Sequence, residues 1–300
     1  MKKEPREDKK VVKMPKFTPD RFYVLDGGFN TRLAQYEPSA ANGEDPLWGG
    51  SATLRNPGAV RKAHRDFIEA GAQIIETNTY QTSPELFLRH LGSEFQEVPP
   101  IVGALEMYET AARLAREAAE GTETLVAGSV GPYGACLGDG SEYTGSYVTE
   151  SKIDAEGLEK WHFERIKRLE EAGVDLLAVE TIPSVVEALA VLNVVEKFPD
   201  AKCWISFQCR DGERTARGEM FDDVVRQVLS HPAASTRLLA IGVNCCDPDH
   251  VVPLLRLANE GGVSRSDEKI WPIRLRMFNC CFQHLSAIDN RISSINLILI

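Results

Sequence analysis

The stretch DLLAVETIP (Asp175–Pro183) decides the fold, because it is an apolar run that stops abruptly at Glu180 and Thr181. Near-continuous apolar runs of this length are typical of strands that are buried on both faces of a parallel sheet. Five further runs follow the same plan, apolar first and polar at the end: Phe22–Gly28, Ala72–Tyr80, Leu125–Pro132, Cys203–Cys209 and Leu238–Cys245. The sequence therefore predicts six parallel strands.

Amphipathic stretches between these runs predict helices. They are Ala59–Ala70, Glu106–Glu120, Leu158–Ala172, Ser184–Lys197 and Asp222–Ser230. Strict alternation of strands and helices is typical of a doubly wound sheet or of a TIM barrel. A doubly wound sheet gathers its ligand groups at one switch point, whereas polar residues end nearly every strand here, as in a barrel. We predict a mixed α/β, TIM (β/α)8-type barrel with six recognisable βα units, the last two being missing or replaced.

Composition excludes several classes of protein. With 43% hydrophobic residues the chain is expected to fold, and no apolar run reaches the roughly 18 residues of a membrane span. A net charge of −10 argues against nucleic acid as the main partner. Seven cysteines without a secretory leader favour a reducing, cytoplasmic location.

The chain is expected to have three parts. Residues 1–20 are predicted to be a solvated charged tail, 21–262 the barrel domain and 263–300 a divergent segment. Two more βα units need about 60 residues, but only 41 follow Asn259. Residues 270–300 contain no glycine and one acidic residue, unlike the rest of the chain.

Three strands end in a carboxylate, at Asp26, Glu76 and Glu180. A carboxylate beside a buried apolar run is costly unless it is paired or bound to a cation. Together they predict an acidic pocket mouth that suits an ammonium or sulfonium group. The alternatives are a strand-to-loop turn for Asp26 with its two glycines, and structural ion pairs for the two glutamates.

Cys245 ends the sixth strand, where a thiolate could act as a nucleophile or as a zinc ligand. No CxxC or HExxH pattern accompanies it, and a buried packing role is the alternative. The glycine-rich segment 131–145 lacks Lys and Arg, so it is predicted to be a mobile lid rather than a phosphate loop. His64 and His162 lie in helical stretches and are expected to be at the surface or in helix packing.

Five motifs at the strand ends carry a resemblance to a known family. They are VLDGGFNT, IIETNTY, SVGPYGA, LLAVETIP and IGVNC, in this order. Together they resemble the homocysteine S-methyltransferase family of zinc-dependent barrels. The resemblance implies that Asp26 and Glu180 hold the amino group of homocysteine and that Cys245 binds zinc. The implied substrate site comprises Asp26, Gly27, Gly28, Thr77, Asn78, Glu180 and Asn244.

The family resemblance also bears on the methyl donor. Betaine-using relatives carry an aromatic residue directly after the glutamate that Glu180 matches, and an aromatic face binds a trimethylammonium group by cation–π attraction. Here that residue is Thr181. We therefore expect a sulfonium donor, S-methylmethionine or S-adenosylmethionine, whose methyl group passes to the zinc-bound thiolate of homocysteine and gives methionine.

The end of the chain departs from the family pattern. The family takes two more zinc ligands from a Gly-Gly-Cys-Cys motif, whereas Cys280 and Cys281 follow Phe278-Asn279, only 35 residues after Cys245. We interpret this pair as a coincidence, with no seventh strand before it. One alternative function is therefore a non-catalytic, truncated isoform that cannot bind zinc. Another is a barrel enzyme with Cys245 as a covalent nucleophile.

Overall fold

The apolar runs of the sequence form strands, and the amphipathic stretches between them form helices. The computed structural model describes residues 17, 22–40, 45, 47–90, 100–150, 152–261, 277–279 and 296–299. The strands in these residues are β1 Phe22–Leu25, β2 Ile74–Glu76, β3 Leu125–Val130, β4 Leu176–Ile182, β5 Cys203–Phe207, β6 Leu238–Asn244, β7 Met277–Asn279 and β8 Asn296–Leu299. All six predicted strands are thereby confirmed.

The helices take up the connections. They are α1 Phe29–Leu33, α2 Ala52–Arg55, α3 Pro57–Glu69, α4 Pro84–His90, α5 Pro100–Ala119, α6 Tyr133–Leu137, α7 Ser146–Thr149, α8 Ala155–Glu171, α9 Val185–Val195, α10 Phe221–Leu229, α11 Ala234–Arg237 and α12 Pro248–Gly261. Short 3-10 turns occupy Pro38–Ala40 and Ser141–Tyr143. The five predicted helices correspond to α3, α5, α8, α9 and α10.

Side-chain caps start three of these helices. The Asn56 side chain accepts a hydrogen bond from the Ala59 amide at 3.1 Å, directly before Pro57 opens α3. Asp154 caps α8 and Ser184 caps α9 in the same way. Each cap satisfies an amide that has no partner within the helix, so the start of each helix is set locally by the sequence.

The first six strands form a curled parallel sheet in chain order, β1-β2-β3-β4-β5-β6. Beyond them, β7 pairs in parallel with β6, and β8 pairs antiparallel with both β7 and β1, which closes the ring of strands. The expectation that no seventh strand precedes Cys280 is therefore wrong. The last two βα units are replaced by two short strands, of which the final one runs against the others.

The two faces of the sheet build two different cores. Residues that face the interior of the ring form one apolar cluster: Tyr23, Leu25, Ile74, Leu125, Ala127, Leu176, Ala178, Trp204 and Ala240. In β4, Leu177 and Val179 alternate with these and pack outward against Ile166 and Leu169 of α8. The period of two continues to Glu180, which therefore falls on the interior face at the carboxyl end of β4.

The remaining expectations about the chain ends lie mostly outside the described residues. Residues 1–16 and 280–295 belong to this group, Cys280 and Cys281 included. Phe17 is described, and its ring stacks on Tyr23 with 5.1 Å between centroids. No helix in the described part of the chain has both the length and the apolar character of a membrane span.

Candidate functional site

Three carboxyl groups meet at the carboxyl ends of β1, β2 and β4. The Asp26 carboxylate accepts a hydrogen bond from the Glu76 amide at 2.9 Å, and the Ser129 hydroxyl donates to Glu180 at 2.6 Å. The Glu76 and Glu180 side chains are also hydrogen-bonded to each other. Asp26 and Glu180 are buried, at 3% and 9% exposed, so the three acidic strand ends lie together, while their role as the mouth of a pocket stays a prediction.

The burial of this cluster changes its acid–base behaviour. Desolvation raises the pKa of Asp26 well above its ordinary value, and the nearby Glu180 carboxylate adds to the effect. Burial also raises the pKa of Glu180, opposed by hydrogen bonds from Glu76 and Ser129. A hydrogen bond between two carboxyl groups requires a proton on one of them. A positive charge beside these groups would favour their ionised forms.

A β-bulge re-aims the backbone beside this cluster. The pairing of β4 with β5 shifts register between Val179 and Ile182, and Thr181 has a φ of +61°. Asn244, at the end of β6, supplies hydrogen-bond partners for Thr181. Its Oδ1 accepts from the Thr181 amide and its Nδ2 donates to the Thr181 hydroxyl, both at 2.8 Å. Bulges commonly occur beside active sites, where they redirect a side chain.

Cys245 directly follows Asn244, at the carboxyl end of β6. Its sulfur accepts hydrogen bonds from the Thr181 hydroxyl at 3.7 Å and from Asn244 Nδ2 at 3.6 Å. Its φ is +51°, and among the described non-glycine residues only Trp48 and Thr181 share a positive φ with it. All three lie at the carboxyl-end side of the ring.

The remaining predicted substrate residues have mixed positions. The Thr77 hydroxyl contacts Thr79 at 2.7 Å and accepts from the Ser129 amide at 3.0 Å, so it joins β2 to β3. Asn78 donates to the Gly49 carbonyl at 2.9 Å. Gly27 and Gly28 follow β1 directly, and neither has a positive φ. Their roles toward a substrate stay predictions.

Aromatic side chains form a rim that sequence reasoning missed. Trp48 is 46% exposed and its ring lies 6.5 Å from the ring of Tyr80, while Tyr143 is 44% exposed. Burial raises the pKa of Tyr80, which is hydrogen-bonded to Thr181 and lies near the ionisable groups of Cys245, Glu180 and Tyr143. We call Trp48, Tyr80 and Tyr143 the aromatic rim. Tyr80 belongs to a quoted motif and Tyr143 to the glycine-rich segment 131–145, whereas Trp48 belongs to neither.

Two interior polar groups lie at the end of β5: Gln208 belongs to the polar end of the predicted Cys203–Cys209 run, whereas Ser206 was missed. The Ser206 hydroxyl and the Gln208 amide oxygen are buried and have no hydrogen-bond partner among the residues that the structure describes. Buried polar atoms are normally satisfied, so each orphaned atom calls for a partner such as a ligand. Both follow the interior alternation of Trp204, which is a signal that the sequence did contain.

A buried carboxylate contacts the glycine-rich segment at Tyr133 and the helix after it at Tyr147, while the role of the segment as a mobile lid stays a prediction. Glu187, fully buried at the start of α9, accepts hydrogen bonds from the Tyr133 amide at 2.7 Å and from the Tyr147 hydroxyl. His162 of α8 contacts the same carboxylate at 3.0 Å. His64 and His162 are both fully buried, so the helix-packing alternative is confirmed and the surface alternative is wrong.

The donor set for a metal ion is only partly described. Cys245 has the chemistry of a zinc ligand at this edge, but no group of three His, Cys, Asp or Glu side chains that could hold a metal occurs within the described ranges. Cys280 and Cys281 lie outside them. Cys203 is fully buried in β5, as a packing role requires.

An α/β ring of strands whose acidic and thiol groups gather at the carboxyl ends of the strands is the architecture of a barrel-type enzyme. Comparison with known proteins specifies the class further. A family model described as homocysteine S-methyltransferase matches residues 23–281. The chain belongs to the homocysteine S-methyltransferase family, and it is an enzyme of that family.

Individual relatives agree with this assignment. A betaine-homocysteine S-methyltransferase from Drosophila melanogaster is 43% identical over 247 residues, which are 77% of this chain and 72% of that protein. A homocysteine S-methyltransferase from Escherichia coli is 36% identical over 265 residues, which are 83% of this chain and 81% of that protein. The metallated crystal form of the Escherichia coli homocysteine methyltransferase superposes with a TM-score of 0.66 at 34% identity, covering 79% of each chain.

Proposed function

We propose that this enzyme transfers a methyl group from a sulfonium compound to the sulfur of homocysteine, giving methionine. The observation that carries the proposal is that the carboxyl groups of Asp26, Glu76 and Glu180 and the thiol of Cys245 lie at the same end of the ring. We also propose that the ring is a variant of the TIM-type barrel, since ligand groups follow almost every strand.

The carboxyl cluster suits the amino group of homocysteine. An ammonium group takes the place of the proton that two of these carboxyl groups share. Its positive charge stabilises the ionised carboxylates, which burial alone disfavours. Asp26 and Glu180 are the partners proposed for it. The orphaned Ser206 and Gln208 atoms lie on the same interior face and can satisfy other polar atoms of an amino acid.

The sulfur of homocysteine is proposed to lie toward Cys245. Cys280 and Cys281 lie outside the described residues, so they are proposed as further ligands on the extent of the family match alone, against the coincidence expected from the sequence. A zinc ion held by Cys245, Cys280 and Cys281 would keep the substrate sulfur in its thiolate form at neutral pH. The family match ends at residue 281 and so includes both cysteines.

The methyl donor is proposed to enter over the aromatic rim. As the new sulfur–carbon bond forms, the donor's sulfur–methyl bond breaks, its electron pair returns to the donor sulfur, and the thiol proton passes to solvent. A sulfonium cation is stabilised against the Trp48 and Tyr80 faces and by the acidic mouth. The aromatic rim suits any onium group, so the choice of S-methylmethionine or S-adenosylmethionine is proposed on Thr181 alone, which stands where betaine-using relatives carry an aromatic residue.

A reducing, cytoplasmic location is proposed as well. The five cysteines in the described residues form no disulfide, and Cys136, Cys203 and Cys209 are buried. Persistent thiols in a chain with this many cysteines are typical of a reducing compartment.

The test is a methyl-transfer assay on the purified full chain. Wild type is incubated with homocysteine and, in parallel, with S-methylmethionine, S-adenosylmethionine or betaine, and methionine is measured. We expect turnover with a sulfonium donor and about one zinc per chain. Turnover with betaine alone would refute the donor assignment.

Metal content and thiol chemistry separate the alternatives. Cys245→Ser is expected to lose both zinc and activity. The matched variant Cys203→Ser should retain zinc, because Cys203 lies at the start of β5 and not at the carboxyl end of a strand. A folded wild type with neither zinc nor methyl transfer would refute the enzyme and favour the non-catalytic isoform. Turnover that survives a chelator would instead favour covalent catalysis by Cys245.

A further inference from the structure

Arg165 is a buried cation with an unusual set of partners. It lies on α8, outside the ring of strands, yet its side chain is only 1% exposed. Its guanidinium donates to the Gly131 carbonyl at 2.8 Å and to the Tyr80 carbonyl at 3.0 Å. Arginine is rarely this buried unless it is paired, and here its main partners are backbone carbonyls rather than a carboxylate.

Further contacts set the plane of the guanidinium group. Its Nε donates to the Tyr108 hydroxyl at 3.3 Å, and its Cζ lies 4.1 Å from the centroid of the Trp161 ring. The Tyr108 hydroxyl in turn donates to the Thr82 carbonyl at 2.6 Å. These contacts fix the plane of the guanidinium group in the orientation that donates to both the Gly131 and the Tyr80 carbonyl.

The two carbonyls belong to the connections that follow β2 and β3. Gly131 packs directly on Tyr80, because a β-carbon at position 131 would lie 2.5 Å from the Tyr80 carbonyl oxygen and 2.7 Å from its ring. Arg165 therefore joins two neighbouring loop ends into one unit. Tyr80 is the part of that unit that reaches the site.

The Tyr80 side chain connects the separate regions of the candidate site. It is hydrogen-bonded to Thr181, lies near the ionisable groups of Cys245 and Glu180, and makes an edge-on ring contact with Trp48. A small rotation of the Tyr80 backbone would therefore move the ring against which the donor is proposed to lie.

We propose that Arg165 is a positioning residue for methyl transfer, holding Tyr80 at the mouth through its main-chain carbonyl. This inference rests on the proposed function and extends it to a residue outside the pocket. Lysine cannot replace it, since one ammonium group lacks the planar fork that spans two carbonyls and stacks on Trp161. A positioning role affects the donor, whereas a purely structural role would affect folding alone.

The test compares Arg165→Lys and Arg165→Met with His162→Ala. His162 is equally buried on the same helix, but it contacts Glu187 instead of Tyr80, so it controls for general destabilisation of α8. Folding is checked by circular dichroism and thermal unfolding, and KM is then measured separately for S-methylmethionine and homocysteine. We expect both Arg165 variants to raise the donor KM about tenfold or more, with the homocysteine KM within about twofold of wild type.

A double-mutant cycle shows whether the effect passes through Tyr80. In a Tyr80→Ala background, Arg165→Lys is expected to change the donor KM less than twofold, because the ring to be positioned is gone. If Arg165→Met does not fold, Tyr108→Phe removes one partner of the guanidinium, and a smaller rise in donor KM is expected.

Two outcomes would overturn the inference. One is a folded Arg165→Lys with wild-type donor KM, and the other is an equal effect of Arg165→Lys with and without Tyr80. A wild type that transfers no methyl group refutes the proposed function instead. Nitration then decides the position of Tyr80: modification of Tyr80 by tetranitromethane, located by peptide mass, should increase in Arg165→Lys but not in His162→Ala.

Discussion

The buried His64 predicts a specific dependence of stability on pH. Its side chain is fully buried on α3, its ring lies 4.4 Å from the ring of Phe29, and neither ring nitrogen has a hydrogen-bond partner within the described residues. Desolvation lowers the pKa of His64 from 6.5 to about 3. The folded protein therefore holds the neutral ring, while the unfolded chain binds a proton near its ordinary pKa.

The sign and size follow from linkage. Since the folded pKa is lowered, the full contribution is present above pH 6.5 and is lost as the pH falls from 6.5 toward 3. Each pH unit in that window costs about 1.4 kcal/mol, so the free energy of unfolding decreases by about 2 kcal/mol between pH 7 and pH 5. His64→Leu removes the titrating group and should abolish this part of the pH dependence.

The assay is urea unfolding of wild type and His64→Leu at several pH values from 7 to 5. At pH 7 the two proteins can differ in their free energy of unfolding because leucine packs differently from histidine. Between pH 7 and pH 5 this difference should shift by about 2 kcal/mol in favour of the variant. His90→Leu, at an exposed position at the end of α4, is the control and should follow wild type. Parallel pH profiles for wild type and His64→Leu would refute the reasoning.

Three further predictions concern the site. Gly131→Ala should destabilise the fold by about 2 kcal/mol in thermal unfolding, because its β-carbon would lie 2.5 Å from the Tyr80 carbonyl oxygen; an unchanged midpoint would contradict this. Asn244→Ala should cost about 2 kcal/mol in urea unfolding, since it leaves the buried Thr181 amide without a partner and removes one hydrogen bond from the Thr181 hydroxyl. Glu180→Gln should raise the homocysteine KM about tenfold or more in the methyl-transfer assay, and a wild-type KM would show that the amino group binds elsewhere.

Much of the fold was predictable because its determinants are local. The apolar runs predicted all six strands of the curled sheet. Asn56 and Ser184 cap their helices by accepting from an amide three residues later, so these helix starts depend on local sequence alone. The polar residue after each run also placed Asp26 and Glu180 at the same end of the sheet, since parallel strands share their carboxyl edge.

The contacts that shape the site were not predictable in this way. Thr181 and Asn244 are 63 residues apart, and Arg165 and Tyr80 are 85 apart, so no local pattern connects either pair. The positive φ of Thr181 arises from a bulge, although the sequence there continues a regular strand pattern.

The sequence by itself determined the six βα units, the acidic strand ends and the thiol after β6, because hydrophobic period and strand-end composition are properties of consecutive residues. Only the tertiary structure decided which groups meet. It joined Glu76 to Glu180, turned Tyr80 toward Thr181, and buried Arg165 and His64 behind the site. The physical reason is that the cost of burying a polar group depends on partners from distant parts of the chain, and these come together only when the sheet curls.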